Sequence, residues 1–408
     1  MWFYMKLAWR NIFRNKRRTI IAGIAIGVGL AALLFTAALM EGMNINMIQS
    51  VTSSFLGEAE IHGKGFRETQ EVEKTIANPD QLTAELSRDP VVEKFTPRTL
   101  SIGMITSPAD ADAVVLVGVA PESEKYLSKI DESIVAGEFF AGTNPGDILI
   151  GSKLAELLEV APGDRIVVTV TQANSGDLNQ EMFRVSGIYR FGVPEMDSGM
   201  AFIRLQTAQK MLGIGNGIHQ IAVKFNDIRI ASQGNHPFWE KYSGSNNEAV
   251  GWPILMPQMK TAVDMSWISI LITAVILMGL VTFGIINTLF MSFYERMFEF
   301  SILGAIGTRP GGLRKLIIFE AAALGIIGII LGVLLGSIAL LILNNTGLDY
   351  RGIEYAGATF KELIYPAVHI WHYIVFPFGV FVFTIVVGLY PAWVASRLRP
   401  ADGLRRSL

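Results

Sequence analysis

The sequence predicts an α-helical integral membrane protein with four transmembrane helices and a large mixed α/β extracytoplasmic domain inserted between the first and second. Three observations carry that expectation. Residues 19–40, 266–294, 321–348 and 373–396 are apolar and contain no Asp, Glu, Lys or Arg. A helix needs about 20 apolar residues to cross the hydrocarbon core, so all four can span. The charge is also divided: residues 41–265 hold 18 Lys and Arg against 29 Asp and Glu, a net of −11, while the rest hold 16 against 7, a net of +9. The formal total of −2 hides two chemically different parts. Finally, 51% of residues are hydrophobic and only 17% charged, against about 25% charged in soluble domains.

The elements follow in order. A cytoplasmic basic segment, residues 1–18, carries Lys6, Arg10, Arg14, Lys16, Arg17 and Arg18 with no acidic residue among them. The first span, residues 19–40, exceeds the usual hydrophobic region of a signal peptide and lacks a small-residue cleavage site, so it reads as a retained helix. Residues 41–265 form the outer domain, 266–294 the second span and 295–320 a cytoplasmic helix and loop. The third span covers 321–344, a short outer loop 345–372, the fourth span 373–396 and a cytoplasmic tail 397–408. Arg296, Arg309, Arg314 and Lys315 lie between the second and third spans, and Arg397, Arg399, Arg405 and Arg406 follow the fourth. The loop between the third and fourth holds only Arg351 and Lys361. Cations in short loops stay cytoplasmic, which predicts both termini inside an inner membrane and the large domain in the periplasm. Trp267, Trp371, Tyr373, Tyr390 and Trp393 sit near span ends, where amphipathic rings favour the headgroup layer.

In the outer domain, β-rich runs over 113–119, 164–171 and 220–225 are bounded by Gly, Pro, Asp and Asn, which predicts strands between turns. Residues 152–158 and 205–212 have the spacing of short helices, the first closed by Pro162-Gly163-Asp164. One large domain or two subdomains are both compatible with this length.

Most catalytic chemistry is missing. With no Cys there is no disulfide framework, thiolate site or lipidated cysteine. The nearest phosphate loop, residues 57–65, is one residue too long and has Gly65 where a Mg²⁺-binding hydroxyl is needed. Gly213, Gly215 and Gly217 miss the dinucleotide spacing. His369 and His372 share a helical face but read as interfacial packing, and no metal site, nucleophile elbow or HExxH motif is present. The chain is expected to bind no cofactor or nucleic acid and not to be an enzyme by itself. Uncharged spans also disfavour ion coupling; Glu320, at the edge of the third, is expected to stay hydrated.

Two patterns point to mechanism. Small residues recur at helical spacing, Gly23 and Gly27 in the first span and Gly328, Gly332 and Gly336 in the third, where missing side chains let backbones approach in lipid. Between the second and third spans, Glu295, Arg296 and Glu299 give a polar start. Phe298, Ile302 and Ile306 then recur at helical spacing before Gly307 and Pro310 stop the helix. This is an amphipathic helix suited to a groove on a cytoplasmic partner.

With these motifs in view, the chain resembles the FtsX-like, MacB-type permeases of ABC transporters, and within them the Lol-type lipoprotein-releasing branch. The resemblance rests on Leu7-Ala8-Trp9-Arg10-Asn11, Arg14-Asn15-Lys16-Arg17-Arg18, Glu295-Arg296, Gly304-Ala305-Ile306-Gly307 and Glu320-Ala321. It continues through Tyr390-Pro391-Ala392-Trp393, Ala395-Ser396-Arg397, Arg399-Pro400 and Leu404-Arg405. In the outer domain it rests on Asp147-Ile148-Leu149-Ile150-Gly151 and Phe183-Arg184-Val185-Ser186-Gly187-Ile188. It implies a half-transporter paired with an identical or homologous permease and two ABC ATPase subunits that hold ATP and Mg²⁺. It assigns ATPase coupling to the segment containing Glu295, Arg296, Glu299, Phe300, Ile302, Leu303, Ala305, Ile306 and Gly307. It further implies a lipoprotein substrate drawn from the membrane lipids and passed to a periplasmic chaperone. Met40, Met43, Val263, Trp267 and Leu271 are candidates to line its entrance, since thioethers and apolar surfaces accommodate acyl chains. The alternative within the family is mechanotransmission to a periplasmic enzyme, or export of another substrate.

Overall fold

Long apolar runs rich in Leu, Ile and Val fold as four helices, Lys16–Val51, Pro257–Glu295, Pro310–Thr346 and His372–Ser396. All four are long and apolar enough to cross a membrane. The computed structural model describes residues 2–14, 16–140, 142–173, 175–244, 246–355, 358–360 and 362–397. Asn15, Lys361, Arg399, Pro400, Leu404, Arg405 and Arg406, all used in the sequence reading, lie outside the described residues. The chain divides into two compact units, one of Met1–Ile45, Val263–Asp349 and Leu363–Leu408, the other of Asn46–Ala262 and Tyr350–Glu362.

In the helical unit, the helices overrun the uncharged stretches. Helical hydrogen bonds continue past the lipid-compatible part, so Arg17 and Arg18 begin the first long helix and Arg314, Lys315 and Glu320 lie inside the third. The basic start is itself a helix, Trp2–Arg14. Its Ala8 and Ile12 are buried while Trp2, Phe3, Met5, Trp9 and Phe13 remain exposed beside Lys6 and Arg10. That is the composition of a helix lying in a membrane interface. Ile26, Leu30, Val281, Ile285, Leu324 and Val380 from all four long helices share one core. Phe283, Ile330, Leu341 and Phe378 are exposed apolar residues, as expected where lipid is the solvent.

The mixed unit contains a ten-stranded sheet. Its strands are β1 (Ala59–Gly63), β2 (Val92–Thr106), β3 (Ala111–Val119), β4 (Ile134–Gly137) and β5 (Asp147–Gly151). They continue with β6 (Arg165–Thr171), β7 (Leu178–Tyr189), β8 (Met200–Arg204), β9 (Gln220–Phe225) and β10 (Asn247–Gly251). The order is β10-β1-β9-β2-β3-β8-β5-β7-β4, and β6 joins β2 to β7. Six strands therefore close a ring, β2-β3-β8-β5-β7-β6 and back to β2, which leaves no free edge between them. Inside lie Ile105, Leu116, Ile150, Val168, Phe183 and Ile203, closed by Leu154 and Met211 from the helices Ser152–Leu157 and Leu205–Leu212.

The second lobe is the open order β10-β1-β9 built onto the first half of β2. At the joint stands Arg98, fully buried, with its guanidinium 2.6 Å from Glu124 and 3.8 Å from the ring centre of Phe55. Tyr189 anchors the ring: its hydroxyl lies 2.9 Å from the Met196 carbonyl and 2.8 Å from that of Met200. Burial also pushes its pKa well above the ordinary value, so it acts as a neutral donor. Tyr189→Phe is expected to lower the unfolding free energy of this unit by about 1 kcal/mol, read as a shift in denaturant midpoint.

Candidate functional site

The second long helix ends at Glu295, Arg296 forms a one-residue break, and a separate helix runs over Met297–Ala305. Gly307 adopts a φ of +97°, which ends the run, and Pro310 then takes the first helical position of the third long helix. The short helix has two faces. Phe298, Glu299, Ile302, Ala305 and Ile306 are exposed, as is Glu295 before them, and Leu303 is half-buried. Arg296 and Phe300, grouped with them by sequence, are buried. Phe300 stacks on Phe293 at 6.0 Å within an apolar cluster that includes Leu313, Leu316 and Ala392. These two residues hold the helix and do not belong to its display surface.

Arg296 is the centre of a charge cluster. Its Nη1 donates to Glu320 Oε1 at 2.6 Å and its Nε to Glu299 Oε2 at 3.0 Å. Asn11 Nδ2 donates to the same Glu320 oxygen at 2.8 Å, and Arg14 reaches Glu299 at 2.9 Å. Arg18 pairs with Glu295. Burial opposes the charge on Arg296, but the Glu320 and Glu299 carboxylates outweigh it and hold the guanidinium above its ordinary pKa. Partial burial of Glu299 is likewise outweighed by Arg296 and Arg14, which hold its carboxyl below the usual value. Glu320 corrects a sequence expectation: it is buried rather than hydrated, and its charge is answered by Arg296. Three motif fragments far apart in sequence thus meet at one carboxylate.

The glycines of the first and third long helices face each other. A Cβ on Gly27 would lie 3.2 Å from both the Gly328 carbonyl and the Gly332 amide, and one on Gly328 only 2.5 Å from Ile26. A Cβ on Gly332 would lie 2.8 Å from the Gly27 carbonyl, one on Gly23 3.2 Å from Ile327, and one on Gly336 3.3 Å from Ala31. The seam therefore lies within one chain. Near the candidate entrance, Ser266 Oγ donates to Asn44 Oδ1 at 3.0 Å, which brings the first and second long helices together there. Met40, Met43 and Val263 are half-buried, while Trp267 and Leu271 are exposed.

Two family models cover most of the chain. Residues 19–232 match the MacB-like periplasmic core domain and residues 262–400 the FtsX-like permease C-terminal model. The chain belongs to the FtsX-like, MacB-type permease family. This permease is 24% identical to the lipoprotein-releasing system transmembrane protein LolC of Xylella fastidiosa, over 94% of its own length and 92% of the relative's. It is 22% identical to LolE of Haemophilus influenzae over 98% of both chains. It is 23% identical to the macrolide export ATP-binding/permease protein MacB of Neisseria gonorrhoeae, over 98% of this chain and 60% of that one. It is accordingly an ABC transporter permease of Lol/MacB type, a class that works with ATPase and partner subunits.

The sequence pattern shows the short helix and the glycine seam directly. It does not show the Asn11, Arg296 and Glu320 convergence. The only available signal is that a buried carboxylate in a membrane helix demands a partner.

Proposed function

We propose that this chain is the permease subunit of an inner-membrane ABC transporter that extracts lipoproteins and passes them toward the outer membrane through a periplasmic chaperone. The observation that carries this reading is the near end-to-end match to LolC and LolE. Two separate ATPase subunits would hold ATP and Mg²⁺, and a second permease, identical or homologous, would complete the membrane part. Both termini would be cytoplasmic, in keeping with the cations of the Trp2–Arg14 helix and of the segment around Arg296 and Arg309.

In this reading Phe298, Ile302 and Ile306, exposed on Met297–Ala305 and just after it, enter a groove on the ATPase. Movement of the ATPases would reach the second and third helices through Arg296 and Glu320. Met40, Met43, Val263, Trp267 and Leu271 would border the lateral path for acyl chains. The Ile302→Asp, Ile306→Asp double variant is expected to reduce substrate-stimulated ATP turnover of the purified complex at least ten-fold while the variant inserts normally. Unchanged stimulation would remove the coupling role from this face. The MacB match supports a second reading, mechanotransmission to a periplasmic enzyme or export of another substrate, in which the same coupling helix operates without lipoprotein release.

A further inference from the structure

The mixed unit holds a pocket that the transport reading does not use. It has a volume of about 310 Å³ and is bordered by the apolar side chains of Phe55, Phe66 and Ile102, among others. Its polar groups are unusual for such a place. Glu60 and His62 stand two apart on β1 and so share one face of the strand. Both line the pocket and both are buried, at 6% and 1% exposure. Nδ1 of His62 lies 3.1 Å from the Glu248 carbonyl, which can only accept, so Nδ1 carries the proton and Nε2 presents a lone pair. That Nε2 is buried and has no hydrogen-bond partner. Arg67 lines the same pocket and is exposed.

On this apolar-walled floor the His62 Nε2 lone pair is an acceptor awaiting a donor, and the Glu60 carboxylate lines the same pocket. Leaving the imidazole nitrogen unmatched costs free energy, because a buried polar group loses water without replacement. An anion would meet the Glu60 carboxylate and a lone pair rather than a donor at His62, while the Arg67 cation on the wall is exposed. An alcohol brings a single proton and no charge, whereas an ammonium brings three protons and a positive charge that favours ionised Glu60, adding to the charges of Arg98 and Arg67. We propose that this pocket binds a primary alkylammonium compound, its nitrogen at Glu60 and His62 and its apolar body along Phe55, Phe66 and Ile102. This site is independent of the transport reading, since none of its residues belongs to the coupling helix, the glycine seam or the entrance.

Protonation supports the assignment. Burial pushes the Glu60 carboxyl up to about 7, against the opposing charges of Arg98 and Arg67 and the amide of Gln220. Burial and Arg67 press His62 down to about 4. Around neutral pH, His62 is therefore a neutral acceptor, Arg98 is paired with Glu124, and Glu60 is the group that titrates. A bound ammonium favours ionised Glu60, so affinity should rise as the pH increases through about 7.

The test is calorimetric titration of the purified full chain with hexylammonium, with hexanol and hexanoate as controls. Saturable binding of hexylammonium alone is expected, weakened at least ten-fold by Glu60→Gln. Ile102→Trp, at an exposed position on the pocket wall, should fill the space and weaken binding similarly without disturbing the core. Thermal melting establishes that each variant is folded. Equal binding by Glu60→Gln, equal binding of hexanol, or no saturable binding by the folded native chain would each overturn the proposal.

Discussion

Arg296→Met is expected to destabilise the helical unit by about 3–5 kcal/mol, because it strands the Glu320 carboxylate in a buried site. Asn11 alone cannot neutralise that charge; its amide supplies one hydrogen bond at 2.8 Å. The mechanism makes a further demand. If the loss comes from an unanswered charge, then Glu320→Gln in the Arg296→Met background should recover most of the thermal stability. If it came from lost packing against Phe300, where the guanidinium lies 5.0 Å from the ring centre, the second substitution would recover nothing. Melting of the detergent-solubilised protein separates the two. The rescued double variant should still couple ATP turnover poorly, since the bridge between the Met297–Ala305 helix and the third long helix remains broken.

The second large effect is expected at the glycine seam. A leucine at Gly328 would force its Cβ to within 2.5 Å of Ile26 and drive the first and third long helices apart. Overpacking of this kind costs about 1–3 kcal/mol, and more where the obstacle is another helix that cannot move. Even Gly328→Ala should be felt, because the Cβ itself makes the clash. Gly279 has open space where a Cβ would stand, so Gly279→Ala provides the control and should leave the melting temperature unchanged or slightly raised. A seam variant as stable as this control would show that the close approach contributes nothing.

These two predictions differ in how far the sequence announces them. The glycine seam is legible because period-four spacing is a local property, and each helix displays its own half of the contact. The short helix Met297–Ala305 is legible for the same reason, through its apolar spacing and the Gly307 and Pro310 stop. The Arg296 cluster is not: its members come from several helices and from the break at Arg296 itself, and Asn11 and Glu320 lie 309 residues apart. The basic start shows a related limit. Its cations are plain in the sequence, but burial of Ala8 depends on an apolar partner such as Leu313, and that of Ile12 on partners such as Leu289 and Ala321, all far along the chain.

In the mixed unit, strands β3, β6 and β9 and the helix Leu205–Leu212 are readable from turn residues and β-rich composition. The boundary between its lobes is not, and β2 explains why. That single strand pairs with β9 through its first half and with β6 through its last residues, so the boundary has no linker and no compositional mark. The pocket at Glu60 is hidden too, because in the sequence residues 57–65 show only a failed phosphate loop, whereas in the fold β10 and β9 pair with residues 59–63 as β1.

In the proposed function this permease turns ATP hydrolysis by partner subunits into release of a membrane-held lipoprotein. The direct measurement is transfer of a labelled triacylated lipoprotein from proteoliposomes containing this permease, its partner permease and its ATPase to a soluble periplasmic chaperone. Transfer is expected to require ATP and to be lost in the Ile302→Asp, Ile306→Asp variant. Full ATP turnover with the lipoprotein left in the bilayer would contradict the proposed function.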